Sequence, residues 1–189
     1  METTSLIRDI IKTNSLHFRN VKIGDPIESV QQIEGTPAEI KEYSNPFIRY
    51  FFEIGEMEEI TLYYNYAADE RVVKEINLHF VHYPDHYWKK EGNQDPGEFW
   101  NLLHNNKLQP YSIVFTDTVN DAVSFFTSVL NTEPVLSFDA NGVFDEPYQN
   151  FKQMIWETDG QFRISIRTYI DDSIDNNVKN TMILRLSKL

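Results

Sequence analysis

Three of the five histidines in this chain lie close together and beside a carboxylate, in the pattern His79-x-x-His82-x-x-Asp85-His86. Imidazole and carboxylate groups at this density could bind Zn²⁺ or supply a proton-transfer pair. A strand that runs through residue 82 would place His79 and His82 on opposite faces, because side chains alternate along a strand. Only His82, Asp85 and His86 could then converge on one ion. These three residues are the candidate site of a metal-dependent hydrolase, whereas a cluster without a flanking motif is more commonly structural.

Other catalytic signatures are missing from the sequence. The chain has no cysteine, which excludes disulfides, thiol catalysis and cysteine-bound zinc. Glycine-rich nucleotide-binding loops and the nucleophile-elbow serine motif are also lacking. The sequence therefore favours a protein that is not an enzyme and that holds no cofactor or metal.

A second group of candidate residues surrounds the first predicted hairpin, where acidic and aromatic side chains are interleaved. Aromatic rings supply contact area in protein interfaces, and carboxylates steer a basic partner. The formal net charge of −12 supports this interpretation, and it argues against nucleic-acid binding, which requires Lys and Arg to displace counterions. An ordinary solvated hairpin is the alternative. Phe51 lies nearby, and the predicted partner-binding residues are Glu53, Glu56, Glu58, Glu59 and Tyr63.

The N-terminal sequence bears on the cellular compartment. Its first residues, M-E-T-T-S-L-I-R-D-I-I-K, lack the basic region followed by an apolar run that a signal peptide requires. No apolar run approaches the roughly 18 residues that cross a bilayer. We therefore expect a cytoplasmic protein without membrane contact. A periplasmic module whose signal has been removed is the alternative.

The first half of the chain reads as a helix followed by an antiparallel meander. Asp25 is predicted to cap this helix, with Pro26 in the first helical position and Glu28 completing a capping box. Gly35 suits the left-handed residue that ends a helix. Alternating apolar residues then predict three strands, at about 47–54, 59–66 and 76–80.

The second half repeats this order. Asp95-Pro96-Gly97-Glu98 resembles the first helix start, and Val119 to Leu130 has the periodicity of an amphipathic helix. The remaining predicted elements are strands at 111–115, 134–138, 151–157, 161–170 and 181–189. The prediction is an α+β fold with two antiparallel meanders, each accompanied by helices. We expect its halves, residues 1–83 and 84–189, to form one compact body. Their shared order is compatible with a divergent internal duplication, and the alternative is that helix-then-sheet order arose without shared ancestry.

The helix entry also carries a family resemblance, over about residues 20–83. Its pattern is apolar-x-apolar-Gly-Asp-x-x-Glu-x-Val, followed by Gly-x-Pro. It resembles small bacterial helix-plus-meander modules, which include the outer-membrane assembly lipoprotein family and beta-lactamase-inhibitor-protein-like repeats. The resemblance implies a protein-binding module that presents a sheet face, without catalytic residues. The lipid-bearing cysteine of the lipoproteins is missing, so membrane anchoring is not implied. The matching residues are Val21, Ile23, Gly24, Asp25, Glu28, Val30, Gly35 and Pro37.

In its general style the whole chain resembles bacterial toxin-immunity proteins, which are acidic, aromatic-rich α+β proteins without a catalytic motif. The leading hypothesis is a non-enzymatic cytosolic protein that neutralises a toxin by covering a basic site. The partner would then be another, basic protein. The hydrolase and the periplasmic module are the alternatives.

Overall fold

The computed structural model describes residues 17–55, 58–82, 113–137, 152–158, 161–171 and 179–189. Strands dominate these ranges, and two helices accompany them. In chain order the elements are β1 (His17–Phe18), β2 (Val21–Lys22), α1 (Ile27–Glu34), β3 (Glu39–Lys41), β4 (Phe47–Gly55), β5 (Glu58–Tyr66), β6 (Val73–His82), α2 (Ile113–Leu130), β7 (Val135–Ser137), β8 (Lys152–Thr158), β9 (Phe162–Asp171) and β10 (Lys179–Lys188).

Eight of the strands form one antiparallel sheet in the order β3-β4-β5-β6-β10-β9-β8-β7. The first four strands are one meander and the last four are a second. The two meanders meet through their final strands, β6 and β10, and the short strands β3 and β7 form the outer edges. This architecture is compatible with the predicted α+β class. The proposed boundary between the halves, at residues 83 and 84, lies outside the described residues.

The two meanders have the same strand register. The β4–β5 register pairs between Ile48–Tyr64 and Glu53–Glu59 all recur in β8–β9 when 104 is added to both residue numbers. The pair Glu53–Glu59, for example, corresponds to the pair Glu157–Arg163. The β5–β6 pairs from Glu58–His82 to Asn65–Glu75 map onto β9–β10 when the β5 number is raised by 104 and the β6 number by 106. Under the shift of 106 that relates β6 to β10, Leu78 corresponds to Leu184, and these two residues are direct register partners where the meanders meet. The sheet therefore has an approximate twofold axis at Leu78 and Leu184.

One face of the sheet carries the core. Even-numbered positions of β4, β5, β6, β8, β9 and β10 point to this face and are mostly apolar and buried, because side chains alternate along each strand. On it lie Ile48, Tyr50, Ile60, Leu62, Tyr64, Ile76, Leu78, Phe80, Met154, Trp156, Ile164, Ile166, Met182, Leu184 and Leu186.

Both described helices pack on the core face. In α1, Ile27 and Val30 are buried in the core. In α2, the Phe115 ring stacks on Phe80 with centroids 6.1 Å apart, and the Phe126 ring lies 5.6 Å from Trp156. No described helix packs on the opposite face. Neither helix in the described part of the chain combines the length and the apolar character of a membrane span.

Two local predictions were wrong. Asp25 does not cap α1, because the turn at Gly24 (φ 98°) brings its carboxylate to the Lys22 amide, which donates to it over 2.8 Å. The residue before the helix is Pro26. The strand predicted at residues 111–115 is also wrong from Ile113 onward, where α2 begins. There the helical spacing of buried residues outweighs the strand preference of a short β-branched run.

Other predictions of local structure are confirmed. Gly35 ends α1 with φ 87°, the positive angle expected of a glycine after a helix. The strands predicted around 47–54, 59–66, 76–80, 134–138, 151–157, 161–170 and 181–189 are all present, with bounds that differ by a few residues. The repeated helix start at Asp95 lies outside the described residues.

Candidate functional site

The face of the sheet opposite the helices holds most of the predicted binding residues that the structure describes. We call it the open face; it consists of the odd-numbered positions of the six long strands. In the first meander its side chains are partly accessible along the whole of β5, where Glu59, Thr61, Tyr63 and Asn65 alternate with buried core residues. The odd-numbered positions of β5 therefore form an accessible row on a paired strand, while Asn77, Val81, Ser165 and Thr181 of the same face are buried.

Aromatic rings cross the open face of the first meander diagonally. The rings of Phe47 and Tyr63 meet edge to face, with centroids 5.4 Å apart. Tyr63 also contacts the imidazole of His79, with centroids 4.8 Å apart. Phe51, the register partner of Thr61, is 45% exposed. Phe51 is thus one of several exposed apolar side chains of the described residues, and it is the one that shares a face with this line of rings.

A polar network borders these rings. Arg185 Nε donates to Asn77 Oδ1 over 3.0 Å, and the side-chain amides of Asn77 and Asn65 donate to Glu75 Oε1 over 2.8 and 2.7 Å. Burial and the nearby Arg185 charge lower the pKa of His79 to about 4. The imidazole is therefore neutral at physiological pH.

The predicted glutamates do not form one cluster. Glu59 and Tyr63 share the open face, four positions apart on β5, a separation of about 13 Å. Glu58 has the opposite parity and is the register partner of His82 on β6. Glu53 is the direct register partner of Glu59, and Glu56 lies outside the described residues.

Glu58 and Glu59 form no salt bridge with another described residue, and Glu42, Glu70 and Glu133 share this property. By contrast, arginine side chains pair with five glutamates in the described ranges: Glu28 with Arg71, Glu34 with Arg19, Glu39 with Arg49, Glu75 with Arg185 and Glu157 with Arg163. The acidic end of β5 thus retains charge that this part of the structure leaves uncompensated.

The histidine cluster is only partly described. β6 continues through His82, so His79 and His82 lie on opposite faces, as their odd spacing predicted. Asp85 and His86 lie outside the described residues. Within the described ranges, no three histidine or carboxylate side chains are grouped as a metal site would require.

A buried carboxylate on the core face was missed by the sequence predictions. Glu34, at the end of α1, is 1% exposed; its Oε1 accepts a hydrogen bond from the Tyr64 hydroxyl over 2.8 Å, and its Oε2 lies 3.2 Å from Arg19 Nε. Burial raises the pKa of Glu34, and burial with the nearby carboxylate raises that of Tyr50 to about 12. The sequence signal that could have predicted the burial of Glu34 is its position four residues after Val30, on the buried side of α1.

The cluster around Glu34 has a structural role. It joins three elements to the sheet: the turn between β1 and β2 through Arg19, the end of α1, and β5 through Tyr64. Tyr50 on β4 adds a fourth link, because its hydroxyl donates to the Gly35 carbonyl over 3.2 Å. The Arg19 charge lies beside Glu34 Oε2, although this oxygen accepts no hydrogen bond from the described residues. The contacts of the cluster therefore connect α1 to the turn and to the sheet.

Comparison of the chain with protein-family models, curated proteins and solved structures gave no significant match. Function is therefore inferred from the chemistry of the open face.

Proposed function

We propose that this chain is a non-enzymatic, cytosolic protein-binding module whose first-meander open face covers a basic site on another protein. The observation that carries the proposal is the half-exposed Phe51 ring, which lies on a paired strand diagonally across from Tyr63 and from Glu59, a glutamate with no salt-bridge partner among the described residues. Aromatic anchors of this kind contribute most of the energy of protein interfaces, and they do so best when the backbone beneath them is already ordered.

Charge supports a basic partner. The chain has a formal net charge of −12, and the acidic end of β5 holds Glu58 and Glu59 without arginine partners among the described residues. An uncompensated acidic surface accelerates the encounter with a basic protein, and salt weakens this steering. The surface therefore favours fast, electrostatically guided association.

Within this class we propose an immunity protein that neutralises a toxin. Its mechanism is occlusion: the open face covers a basic active-site cleft and excludes the substrate. The acidic composition, the wealth of aromatic residues and a sheet face that no described helix covers all support this reading. The mechanism requires a rigid surface and no reacting group on this chain.

The proposal is tested on the proteins encoded by the genes that flank this one. We expect one of them to inhibit bacterial growth when expressed alone, to be neutralised by co-expression with this chain, and to bind it in purified form. Failure of every flanking product to bind this chain contradicts the immunity role.

Charge reversal then locates the interface. Glu56→Lys with Glu59→Lys should slow association strongly at low salt, and the effect should fade as the Debye length falls from about 10 Å to about 3 Å. Asp69→Lys with Glu70→Lys is the matched control, because it changes net charge equally in the exposed turn between β5 and β6. An equal effect of both pairs on the association rate would place the interface elsewhere.

We further propose that the two meanders arose by internal duplication. The matching registers support this, as do residues at equivalent positions. Three equivalent pairs are identical, namely Glu53 and Glu157, Ile60 and Ile164, and Leu78 and Leu184. Three more are similar, namely Phe52 and Trp156, Thr61 and Ser165, and Leu62 and Ile166.

A further inference from the structure

Thr61 lies at the centre of a ring of larger side chains on the open face. Its cross-strand partners are Phe51 on β4 and His79 on β6, and its same-face neighbours along β5 are Glu59 and Tyr63. Neighbouring strands are about 4.8 Å apart, and same-face neighbours on one strand are about 7 Å apart. Four larger side chains thus surround a small one, and we call this arrangement the Thr61 socket.

The walls of the Thr61 socket suit a cation. Phe51, Tyr63 and the neutral imidazole of His79 provide three ring systems, and Glu59 provides a carboxylate without a described basic partner. Ring faces attract cations, most strongly when a carboxylate also bonds the charged group.

The basic groups nearest the socket are already engaged. Arg49 and Arg185 lie one residue row away, as the outer members of the row Arg49–Tyr63–Asn77–Arg185. Arg49 bonds Glu39 over 3.1 Å, and Arg185 bonds Asn77. A cation is therefore best placed at the Phe51 and Glu59 side of the socket, away from that row.

We infer that the Thr61 socket receives one basic side chain of the partner protein, with arginine preferred over lysine. The guanidinium stacks on the Phe51 ring and donates hydrogen bonds to Glu59, a planar, forked geometry that the lysine ammonium lacks. This inference rests on the proposed function and names the feature of the partner that the open face recognises.

A short peptide tests the socket without the partner. The ¹⁵N-labelled chain is titrated with acetyl-Gly-Gly-Arg-Gly-Gly-amide, and with the same peptide carrying glutamine in place of arginine, while amide shifts are followed by NMR. We expect the arginine peptide to shift the amides of Phe51, Thr61 and His79. Phe51→Ala and Glu59→Gln should each weaken its binding by about two- to fivefold. Phe51 is half-exposed, so its truncation leaves the core intact.

The second meander supplies matched controls. Ile155→Ala is the counterpart of Phe51→Ala, and Glu157→Gln removes a carboxylate that is already paired with Arg163. Both should leave peptide binding unchanged. The inference is overturned if the arginine peptide fails to bind, if the glutamine peptide binds equally, or if Phe51→Ala and Glu59→Gln bind as well as the parent. If a protein encoded by a flanking gene still binds this chain despite such a result, the proposed function is retained and only the arginine site at the Thr61 socket is contradicted.

Discussion

Equivalent positions on the open faces of the two meanders carry different chemistry. In the first meander, Glu53 and Glu59 are direct register partners of like charge. In the second, the same positions hold Glu157 and Arg163, and the arginine bonds Glu157 Oε1 through Nε at 3.0 Å and Nη2 at 2.7 Å. At this pair of positions the second meander therefore has opposite charges that bond each other, whereas the first has two glutamates. Two meanders with the same strand register thus carry different surface chemistry.

The core faces differ in a related way. Tyr50 and Tyr64 of the first meander bond the end of α1 and its buried Glu34, whereas the equivalent positions of the second meander hold Met154 and Thr168. The rings of α2 that contact the sheet include Phe115 and Phe126, which lie beside Phe80 of the first meander and Trp156 of the second. The first helix therefore combines apolar packing with directed polar bonds to the sheet.

The substitutions with the largest expected effect on stability test whether the two halves unfold as one unit. Leu78→Ala and Leu184→Ala each remove a buried side chain at the approximate twofold axis, so each should lower the free energy of unfolding by about 3 kcal/mol. Urea unfolding followed by circular dichroism and by tryptophan fluorescence should give one coincident transition for both variants. Separate transitions would mean that the meanders unfold independently.

The buried carboxylate provides a test that depends on pH. Burial raises the pKa of Glu34 above its ordinary value of 4.5, so the folded state binds this proton more readily than the unfolded state does. Its contribution to stability is complete below pH 4.5 and is lost as pH rises through the raised value. Relative to Glu34→Gln, the parent should lose stability as pH rises from about 4 to about 8.

A glutamate on the same helix gives the opposite sign. Arg71 lowers the pKa of the exposed Glu28, so the stability that Glu28 contributes is present above its ordinary pKa and lost as pH falls. Urea unfolding of Glu28→Gln between about pH 5 and about pH 2 should therefore show that the parent loses stability as pH falls, a trend opposite to that of Glu34→Gln in its own range. Identical trends for the two variants would contradict the assigned role of burial at Glu34.

The smallest expected effect compares the two surfaces directly. Glu59→Lys places a basic residue opposite Glu53 and should stabilise the isolated chain by a few tenths of a kcal/mol. Glu157→Lys faces Arg163 with a like charge and should destabilise it by about 0.5 kcal/mol. Thermal unfolding at low salt measures both changes, and high salt should reduce both. Two shifts of the same sign would show that the meanders do not differ as described.

Local sequence patterns predicted most of the strands because alternation is a property of each strand alone. They also gave the correct face for Glu59, Tyr63 and Phe51. The joining of β6 to β10 could not be predicted in this way, since it pairs residues from opposite halves of the chain. For the same reason, the sequence could not reveal that Phe47, Tyr63 and His79 form one line of rings, which depends on the register of three strands.

The capping prediction at Asp25 failed for a different physical reason. An aspartate before a helix can accept a hydrogen bond from the helix or from a preceding turn, and the positive φ of Gly24 favours the turn. Glu34 was missed because charged residues are expected at the surface. Only the positions of Tyr64 and Arg19 in three dimensions make its burial understandable.

The pairing at the centre of the sheet also bears on how the chain acquires its structure. Leu78 and Leu184 are 106 positions apart (184 − 78), whereas the neighbouring strands within each meander are joined by hairpins of short or moderate length. Closing so long a loop lowers the chain entropy before favourable contacts can compensate for the loss. Pairs of residues that are distant in sequence therefore form late and slowly. Until then the inner edges of β6 and β10 expose unpaired backbone groups that can join another chain. The pairing of β6 with β10 at Leu78 and Leu184 is therefore the folding step that competes with aggregation.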